Sequence, residues 1–389
     1  MRIGINATHL EIKKRYGVGR YLANILKEWV RDFPNNEYYL YFKKEIPEDE
    51  FLDSPCCQKI IVRCPSFMSR ISIWENIFLP RALASHNLDI FFSPGYTLPL
   101  RLRVKSKVVH VYDISYIAHP EWYALPRRWI YNFLTPFTLR GANIITAGSE
   151  FSKGEIISYF KIPEEKVKVV YSAAEEKFRP IPDKDLVAER LEKYKIKRPY
   201  ILYVGQIINR RNVPALLKAF KKFLDKTRVD YNLVLLGVNR TYNPSFKVEE
   251  LVNSLGIEKK VVHLEYIPEE DMVFLYNGAK VFIYPSSYEG FGIPPLEALS
   301  CGIPVITSNL TSLPEVVGEV AYLLKNPTDI NEVAEALEKV ALDNNLCQEM
   351  AVKGLARAKV FSWQKCAKEN MEIFNQSLNF LTKDASKNH

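Results

Sequence analysis

Two glutamates eight positions apart, Glu289 and Glu297, are the most informative candidates for chemistry in this sequence. Glu289 follows an apolar run typical of a buried strand, and Glu297 falls in the predicted helix behind it. The glycines between them, Gly290 and Gly292, lack side chains, so backbone amides can approach a ligand closely. Amides before a helix favour a phosphate or a sugar hydroxyl, and a carboxylate one turn inside could accept both hydroxyls of a ribose. A Gly-x-Gly pair alone is also compatible with an ordinary turn beside a solvated glutamate.

A basic pair, Arg210 and Arg211, follows the apolar run 200–204 and its closing residue Gly205, just ahead of an amphipathic helix. Guanidinium groups bind phosphate oxygens in a bidentate manner, so a pair at the carboxyl end of a strand suits a diphosphate. The alternative interpretation is a solvated pair on a basic protein.

The amino-terminal half offers weaker candidates. Gly17 and Gly19 lie behind the first predicted strand, where they permit close backbone approach to a ligand or form an ordinary turn. Asp113 follows another strand-like run and is expected at its carboxyl end, as an acceptor-orienting group or a base. In a strand, His110 and Tyr112 share the face opposite Asp113. We interpret His110 as a buried or wall histidine rather than a catalyst.

The elements that must position these residues alternate between strands and helices. This alternation stops at a polar, proline-containing stretch, 171–185, and then restarts. Two such arrays predict an α/β protein with two Rossmann-like, doubly wound parallel sheets that face each other across a cleft. We assign 1–178 to an N-terminal domain, 179–362 to a C-terminal domain and 363–389 to a terminal helix. The cleft is the expected ligand site.

Composition excludes several classes of protein. The chain has 389 residues, 47% of them hydrophobic and 25% charged, as in ordinary globular proteins. No apolar run reaches the roughly 20 residues of a membrane-spanning helix, and no secretory signal is evident. The six cysteines form no Cys-x-x-Cys pair, which favours reduced thiols in the cytoplasm.

The net charge of +8 is concentrated in the first half of the chain. Residues 1–178 carry 25 Lys and Arg against 19 Asp and Glu, a net of +6, and the remainder carries 28 against 26, a net of +2. Three interpretations stay open: solvated surface, an anionic membrane surface, and nucleic acid. No helix-turn-helix, zinc or RNA-recognition signature supports nucleic acid. The main contributors are Lys13, Lys14, Arg15, Arg101, Arg103, Lys105, Lys107, Arg127 and Arg128.

The segment 286–309 closely resembles the donor-binding signature of retaining glycosyltransferases of the GT-B fold, in the large family four. Its pattern is E-G-F-G-x-P-x-x-E-A, followed by a small-residue turn and P-V-I. The residues that carry the resemblance are Glu289, Gly290, Phe291, Gly292, Pro294, Glu297, Ala298 and 302–305. The signal is much more specific than a Gly-x-Gly pair. The resemblance also assigns Ile293 to the donor site.

The resemblance extends over nearly the whole chain. Residues 204–220 look like the family's V-G-x-x-x-x-R-K-N stretch, but Arg211 replaces the usual Lys and Gln206 stands where Arg is common. The segments 16–21, 110–115 and 265–276 also have counterparts. This implies donor contacts from Gly17, Val18, Gly19, Gly205, Asn212, Tyr266 and Ile267, and acceptor contacts from His110, Tyr112 and His119. Tyr112 departs from the family by standing in the place of a histidine.

The resemblance implies sugar transfer from a nucleotide donor with retention at the anomeric carbon. Arg210 and Arg211 would stabilise the leaving diphosphate, Glu289 the transferred sugar, and Glu297 the ribose. Asp113 would act on the acceptor in the N-terminal domain, and neither a metal nor another cofactor is expected. The expected donor is GDP-mannose and the acceptor a glycan or a lipid-linked glycan in lipopolysaccharide or other surface polysaccharide synthesis, at the inner face of the membrane. Alternatives are UDP-glucose, UDP-N-acetyl sugars, dTDP-deoxysugars, epimerase or phosphorylase chemistry, and a non-catalytic subunit.

Overall fold

The computed structural model describes residues 1–12, 15, 17–68, 70–123, 125–242 and 244–387, except for the side chains of 66, 125–131 and 380–387. The chain forms two compact units. The first unit consists of Met1–Ile117, Leu125–Ser172 and Ser362–His389, and the second of Ala118–Ala124 and Ala173–Phe361. The segment Ala118–Ala124 thus packs with the second unit, although it lies inside the range 1–178. Of the basic residues that the sequence singled out, Lys13, Lys14 and the side chains of Arg127 and Arg128 lie outside the described residues.

The first unit is built on a parallel sheet in the strand order β3-β2-β1-β4-β5-β6-β7. Its strands are β1 Arg2–Asn6, β2 Glu37–Phe42, β3 Cys57–Ile61, β4 Ile90–Ser93, β5 Ser106–Val111, β6 Ile144–Ala147 and β7 Val167–Val169. Ile3 pairs with both Tyr38 and Ile90, so β1 is central. The middle strands are buried on both faces, as parallel sheets covered by helices require.

Helices cover this sheet. They are α1 Val18–Asp32, α2 Ile71–Ile73, α3 Leu79–Leu83, α4 Ser115–Ala118, α5 Leu125–Gly141 and α6 Glu150–Phe160. Helix α1 buries Tyr21, Leu22, Ile25 and Trp29, which recur at helical spacing. Ser149 caps α6, because its Oγ accepts a hydrogen bond from the Ser152 amide at 3.0 Å.

A π-helical turn, Trp74–Phe78, joins α2 and α3 and buries a carboxylate. The Glu75 side chain accepts hydrogen bonds from Asn6 Nδ2 and Thr97 Oγ1, each at 2.9 Å. Burial, which outweighs the opposing effect of these bonds, raises the pKa of Glu75 to about 7. The π turn was not anticipated from the sequence, because it adds one residue per turn without changing the apolar pattern much.

The second unit is built on a parallel sheet in the order β10-β9-β8-β11-β12-β13. Its strands are β8 Tyr200–Val204, β9 Asn232–Leu236, β10 Val261–Leu264, β11 Val281–Tyr284, β12 Val305–Ser308 and β13 Tyr322–Leu324. Its helices are α7 Lys184–Glu192, α8 Val213–Thr227, α9 Val248–Ser254, α10 Met272–Gly278, α11 Ile293–Ser300, α12 Leu313–Val317, α13 Ile330–Leu342 and α14 Asn344–Ala358. The prediction of two doubly wound parallel sheets is confirmed.

The terminal helix α15, Trp363–Lys387, belongs to the first unit and packs against α1. Trp29 Nε1 donates to the Ala367 carbonyl at 3.0 Å, and Asn370 Nδ2 donates to the Tyr21 hydroxyl at 3.1 Å. Phe374 contacts Trp29 at 5.5 Å between ring centroids. Residues 359–362 separate α14 from α15. Strand β7 and helices α7 and α12 were not predicted, since each is short or lacks a clear apolar period.

Candidate functional site

The strand order of the second unit reverses between β8 and β11, and polar residues follow both strands. Ligands of doubly wound sheets bind outside the carboxyl ends of the strands at such a switch point. Gly205 to Asn212 follow β8, and Pro285 to Gly292 follow β11. The two segments that the sequence singled out therefore leave the sheet side by side.

Glu289 is the centre of this arrangement and is only 6% exposed. Its Oε1 accepts hydrogen bonds from Arg211 Nε at 2.9 Å, Tyr284 Oη at 2.9 Å and Ser286 Oγ at 3.0 Å. Burial is the largest single effect on its pKa and raises it. The nearby charges of Arg211 and Arg210, together with these hydrogen bonds, outweigh burial and lower the pKa of Glu289 to about 2. The side chain is a carboxylate at neutral pH.

Both arginines of the basic pair face this carboxylate. Arg211 Nη1 also donates to the Gln206 carbonyl at 3.1 Å, and its guanidinium lies 5.2 Å from the centre of the Tyr284 ring. Arg210 Nη2 is 3.9 Å from Glu289 Oε2. The sequence singled out the three charges but not their mutual pairing. The phosphate-binding role of the arginines stays a prediction.

Glycines make room for this cluster. Gly205 has φ +145°, and a Cβ there would lie 2.7 Å from Arg211 Nη1. Gly237, at the end of β9, has φ +147°, and its Cβ would lie 2.0 Å from the Gly205 carbonyl oxygen. Gly292 has φ +105° at the start of α11, where a Cβ would lie 2.7 Å from Leu313. The sequence singled out Gly205 and Gly292 for the site, but it assigned Gly237 only as the end of a strand.

Asn212 links the two segments. It has φ +51° at the start of α8, and its Nδ2 donates to the Pro285 carbonyl at 2.9 Å and to Ser287 Oγ at 2.7 Å. The Ser312 hydroxyl reaches the carbonyls of Glu289 and Phe291 at 2.8 and 3.0 Å. These hydrogen bonds of Asn212 and Ser312 fix the loop that contains Gly290 and Phe291 and leads into Ile293. The donor contacts assigned to these residues stay predictions.

Glu297 and the segment after β10 differ in how far their side chains are exposed. Glu297 is 1% exposed, and its Oε2 accepts a hydrogen bond from the Tyr276 hydroxyl at 2.8 Å. The carboxylate therefore faces a protein hydroxyl, and ribose binding stays a prediction. Tyr266 is 49% exposed, whereas the Ile267 side chain is buried at 2%. A contact of Ile267 with a nucleobase would accordingly use its backbone.

His119 belongs to the second unit, as Glu289 does. Its ring contacts those of Trp122 and Tyr288, and the Arg210 guanidinium lies 5.8 Å from the centre of the Tyr288 ring. Sequence reasoning did not find Trp122, Tyr284, Ser286 or Tyr288 as parts of this cluster. The signal available was the position of three of them next to the E-G-F-G motif.

The candidates of the first unit lie near the carboxyl ends of its strands. Asp113 is 9% exposed, and its Oδ1 accepts hydrogen bonds from the Ser115 amide at 3.0 Å and the Ser115 hydroxyl at 2.6 Å, at the start of α4. Helix α1 begins at Val18, behind Gly17 with φ +46°. A Cβ on Gly19 would lie 2.8 Å from the His9 carbonyl oxygen.

The structure places His110 in the interior of the first unit, in line with its interpretation as a buried histidine, and the acceptor contact stays a prediction. The ring is 0% exposed, stacks on Tyr21 at 4.4 Å, and forms a hydrogen bond through Nδ1 with Thr146 Oγ1 at 2.9 Å. Burial lowers the pKa of His110 to about 3. The Tyr112 hydroxyl is buried beside it and has no hydrogen-bond partner among the described residues. Both side chains point inward, because alternate residues of a strand covered by helices enter the core.

In the part of the chain that the structure describes, no group of three or more His, Cys, Asp or Glu residues could hold a metal ion. No helix there is long and apolar enough to cross a membrane. The six cysteines are free thiols. The expectation of a reaction without metal or cofactor stays a prediction.

Both units of the chain are similar to known protein families. A family model described as Glycosyl transferases group 1 matches residues 188–357, and one described as Glycosyltransferase Family 4 matches residues 16–176. O-antigen chain mannosyltransferase B of Escherichia coli is 35% identical over 295 residues, which are 75% of this chain and 76% of that protein. Serotype-specific mannosyltransferase WbdA of Escherichia coli is 31% identical over 268 residues, 68% of this chain but 32% of that longer protein.

Solved structures agree on the fold. Sucrose-phosphate synthase from Thermosynechococcus elongatus has a TM-score of 0.76 at 18% identity, covering 96% of this chain and 98% of that one. WaaG, a glycosyltransferase involved in lipopolysaccharide biosynthesis, has a TM-score of 0.73 at 16% identity, covering 96% and 99%. The fold is that of the GT-B enzymes. The family models and the O-antigen relative together show that the chain belongs to the group 1 glycosyltransferases.

Proposed function

We propose that this glycosyltransferase moves a mannosyl unit from GDP-mannose, with retention at the anomeric carbon, to a glycan or lipid-linked acceptor during surface polysaccharide synthesis. The observation that carries the proposal is the buried carboxylate of Glu289, paired with Arg211 at 2.9 Å at the carboxyl ends of two central strands. The names of the O-antigen mannosyltransferases that it resembles support the mannosyl donor and the polysaccharide product.

The proposed chemistry uses the charges of the cluster. Transfer separates charge: the leaving diphosphate gains negative charge, and the sugar ring gains positive charge. Arg210 and Arg211 stabilise the diphosphate, and the ionised Glu289 stabilises the sugar ring. The acceptor attacks from the side on which the diphosphate leaves, and the diphosphate takes the acceptor's proton. Glu297 contacts the ribose, and Asp113 orients the acceptor hydroxyl.

Donor and reaction type are tested together. GDP at 100 times its dissociation constant should stabilise the protein by about 2.7 kcal/mol, which a thermal shift detects. A shift with GDP and none with UDP supports the mannosyl donor, and the reverse result overturns it in favour of UDP-glucose or a UDP-N-acetyl sugar. A dTDP-deoxysugar would be indicated by a shift with dTDP alone. Turnover of GDP-mannose that requires no acceptor would indicate epimerase chemistry instead.

We propose that the enzyme acts at a membrane surface, because the first unit exposes several large apolar side chains. Leu100 is 52% exposed, and its amide donates to Asn76 Oδ1 at 2.9 Å, next to the 41% exposed Ile77. Phe133 and Phe137 on α5 are 64% and 52% exposed. The basic Arg101 and Arg103 follow Leu100 in the chain. Apolar side chains beside basic ones suit the headgroup region of anionic lipids.

Vesicle sedimentation tests this surface. Vesicles with anionic lipid should bind the protein, neutral vesicles should bind it less, and high salt should weaken binding. Replacement of Phe133 and Phe137 by Ser should reduce the bound fraction while leaving GDP binding unchanged. Equal binding to neutral and anionic vesicles would contradict an electrostatic contribution.

A further inference from the structure

Three aromatic rings meet beside Glu289 in the second unit. The rings of His119 and Trp122, here called the stacked pair, lie 4.0 Å apart with 15° between their planes. Both meet the Tyr288 ring edge-on, at 5.2 and 6.0 Å between centroids. Tyr288 in turn contacts the Arg210 guanidinium at 5.8 Å. One buried ring therefore joins the stacked pair to the charged cluster.

The stacked pair differs from Tyr288 in its exposure. Tyr288 is 2% exposed, as expected for a ring that fills space. The His119 side chain is 38% exposed, and that of Glu121 beside it is 56% exposed. Trp122 is half-buried, and its indole carries an N–H donor. His119 Nδ1 lies 3.2 Å from Glu121 Oε1. The surface thus combines aromatic rings with a carboxylate and an N–H donor.

This combination fits one class of ligand, a neutral pyranose. One face of a pyranose presents C–H groups, which are attracted to the negative face of an aromatic ring. The hydroxyls around its rim can donate to a carboxylate and accept from an indole N–H. A phosphate would instead be repelled by Glu121. A lipid chain would offer no hydrogen-bond partner to the Trp122 N–H or to the second oxygen of Glu121.

We propose that the stacked pair, together with Glu121, binds the terminal neutral sugar of the acceptor glycan. The inference rests on the proposed function, in which Arg210, Arg211 and Glu289 hold the donor. Those three groups are buried in the charged cluster, whereas His119 of the stacked pair is partly exposed, so the stacked pair is assigned to the acceptor. The acceptor is then a chain that ends in a neutral pyranose, and its last sugar is recognised by residues of the second unit.

Ligand-observed NMR on the full-length protein tests this without requiring turnover. The probes are trisaccharides ending in mannose, glucose, galactose or N-acetylglucosamine, each with and without GDP. At least one should bind, with saturation transfer strongest at the ring C–H protons of one face. Trp122→Ala should weaken that binding about tenfold, the size of one stacking contact with its hydrogen bond. Trp122→Phe should stay within about threefold, since a ring remains. Tyr159→Ala, which removes an exposed ring from α6, is the matched control and should bind like wild type.

Fluorescence separates binding from folding. Addition of the bound trisaccharide should change the emission of wild-type protein and not that of Trp122→Phe, and both proteins should have equal GDP affinity. The proposal is overturned if no trisaccharide binds, or if Trp122→Ala and Trp122→Phe both bind like wild type. Failure of the proposed donor would be visible separately, as absence of GDP binding and GDP-mannose turnover in wild-type protein that still binds the trisaccharide.

Discussion

Arg211 Nε donates a hydrogen bond to Glu289 Oε1 across 2.9 Å in the interior of the second unit, between residues that are 78 positions apart in the chain. Neither side chain is more than 14% exposed. A buried ion pair gains its attraction only after both charges lose water, so it contributes little net stability while both partners are present. Removal of one partner is costly, because the other charge then stays buried alone.

Glu289→Ala should abolish sugar transfer and lower the free energy of unfolding by about 3–5 kcal/mol, because two guanidinium groups lose their carboxylate. GDP should then give a larger thermal shift than in wild-type protein, since its phosphates replace the missing charge. Differential scanning calorimetry with and without GDP measures both effects. Glu250→Ala removes an exposed ion pair with Lys247 and is the control, with a change within about 0.5 kcal/mol. Retained transfer in Glu289→Ala would contradict the assigned role.

Glu75→Gln should raise the free energy of unfolding, relative to that of wild-type protein, more at pH 8 than at pH 5. The pKa of the buried Glu75 is raised from its ordinary 4.5 to about 7, so its contribution to stability is complete below pH 4.5 and is lost as the pH rises through 7. Glutamine does not titrate and can still accept from Asn6 and donate to Thr97. The variant should therefore gain up to about 3 kcal/mol over wild-type protein between these pH values. Urea unfolding at both pH values measures the difference, and a difference that does not change with pH would contradict the raised pKa.

Gly237→Ala should destabilise the second unit far more than Gly256→Ala. Both glycines have positive φ, which costs an alanine about 1–2 kcal/mol. Only at Gly237 does the added methyl group meet backbone, at 2.0 Å from the Gly205 carbonyl oxygen, whereas nothing lies within 4 Å at Gly256. The clash should add at least about 2 kcal/mol and weaken GDP binding by displacing Gly205. Equal melting temperatures of the two variants would rule out this close approach.

Removal of the Tyr284 hydroxyl and removal of the Tyr112 hydroxyl should have different effects on the stability of the protein. The Tyr284 hydroxyl donates to Glu289 at 2.9 Å, so Tyr284→Phe should cost about 2 kcal/mol, as for a hydrogen bond to a charged group. The Tyr112 hydroxyl is buried without a hydrogen-bond partner among the described residues, so Tyr112→Phe should be neutral or slightly stabilising. Denaturant unfolding of the two variants makes the comparison. An equal loss in both would show that Tyr112 has a partner in solution.

The sequence predicted the alternating elements and most charged residues of the cluster, because both depend on local patterns. Apolar runs and glycine positions identify strands and their carboxyl ends, and these ends contain Glu289, Arg210 and Arg211. The pairing of Arg211 with Glu289 was not predictable in the same way. It depends on the register of β8 beside β11, which no local pattern specifies. The sequence left two places open for His110, the core and the acceptor site, for a related reason: a histidine near a strand end looks alike whether its side chain faces a ligand or the core.

The membership of Ala118–Ala124 in the second unit has a consequence for chimeric enzymes. An exchange of residues 173–361 between two relatives, intended to change the donor, would retain the host's His119 and Trp122 against the guest's residue at position 288. A mismatch there would disturb the ring that adjoins Arg210. Recombination that respects the units must carry the short segment along with the longer one, so exchange of the continuous piece 173–361 alone is not enough to transplant this site.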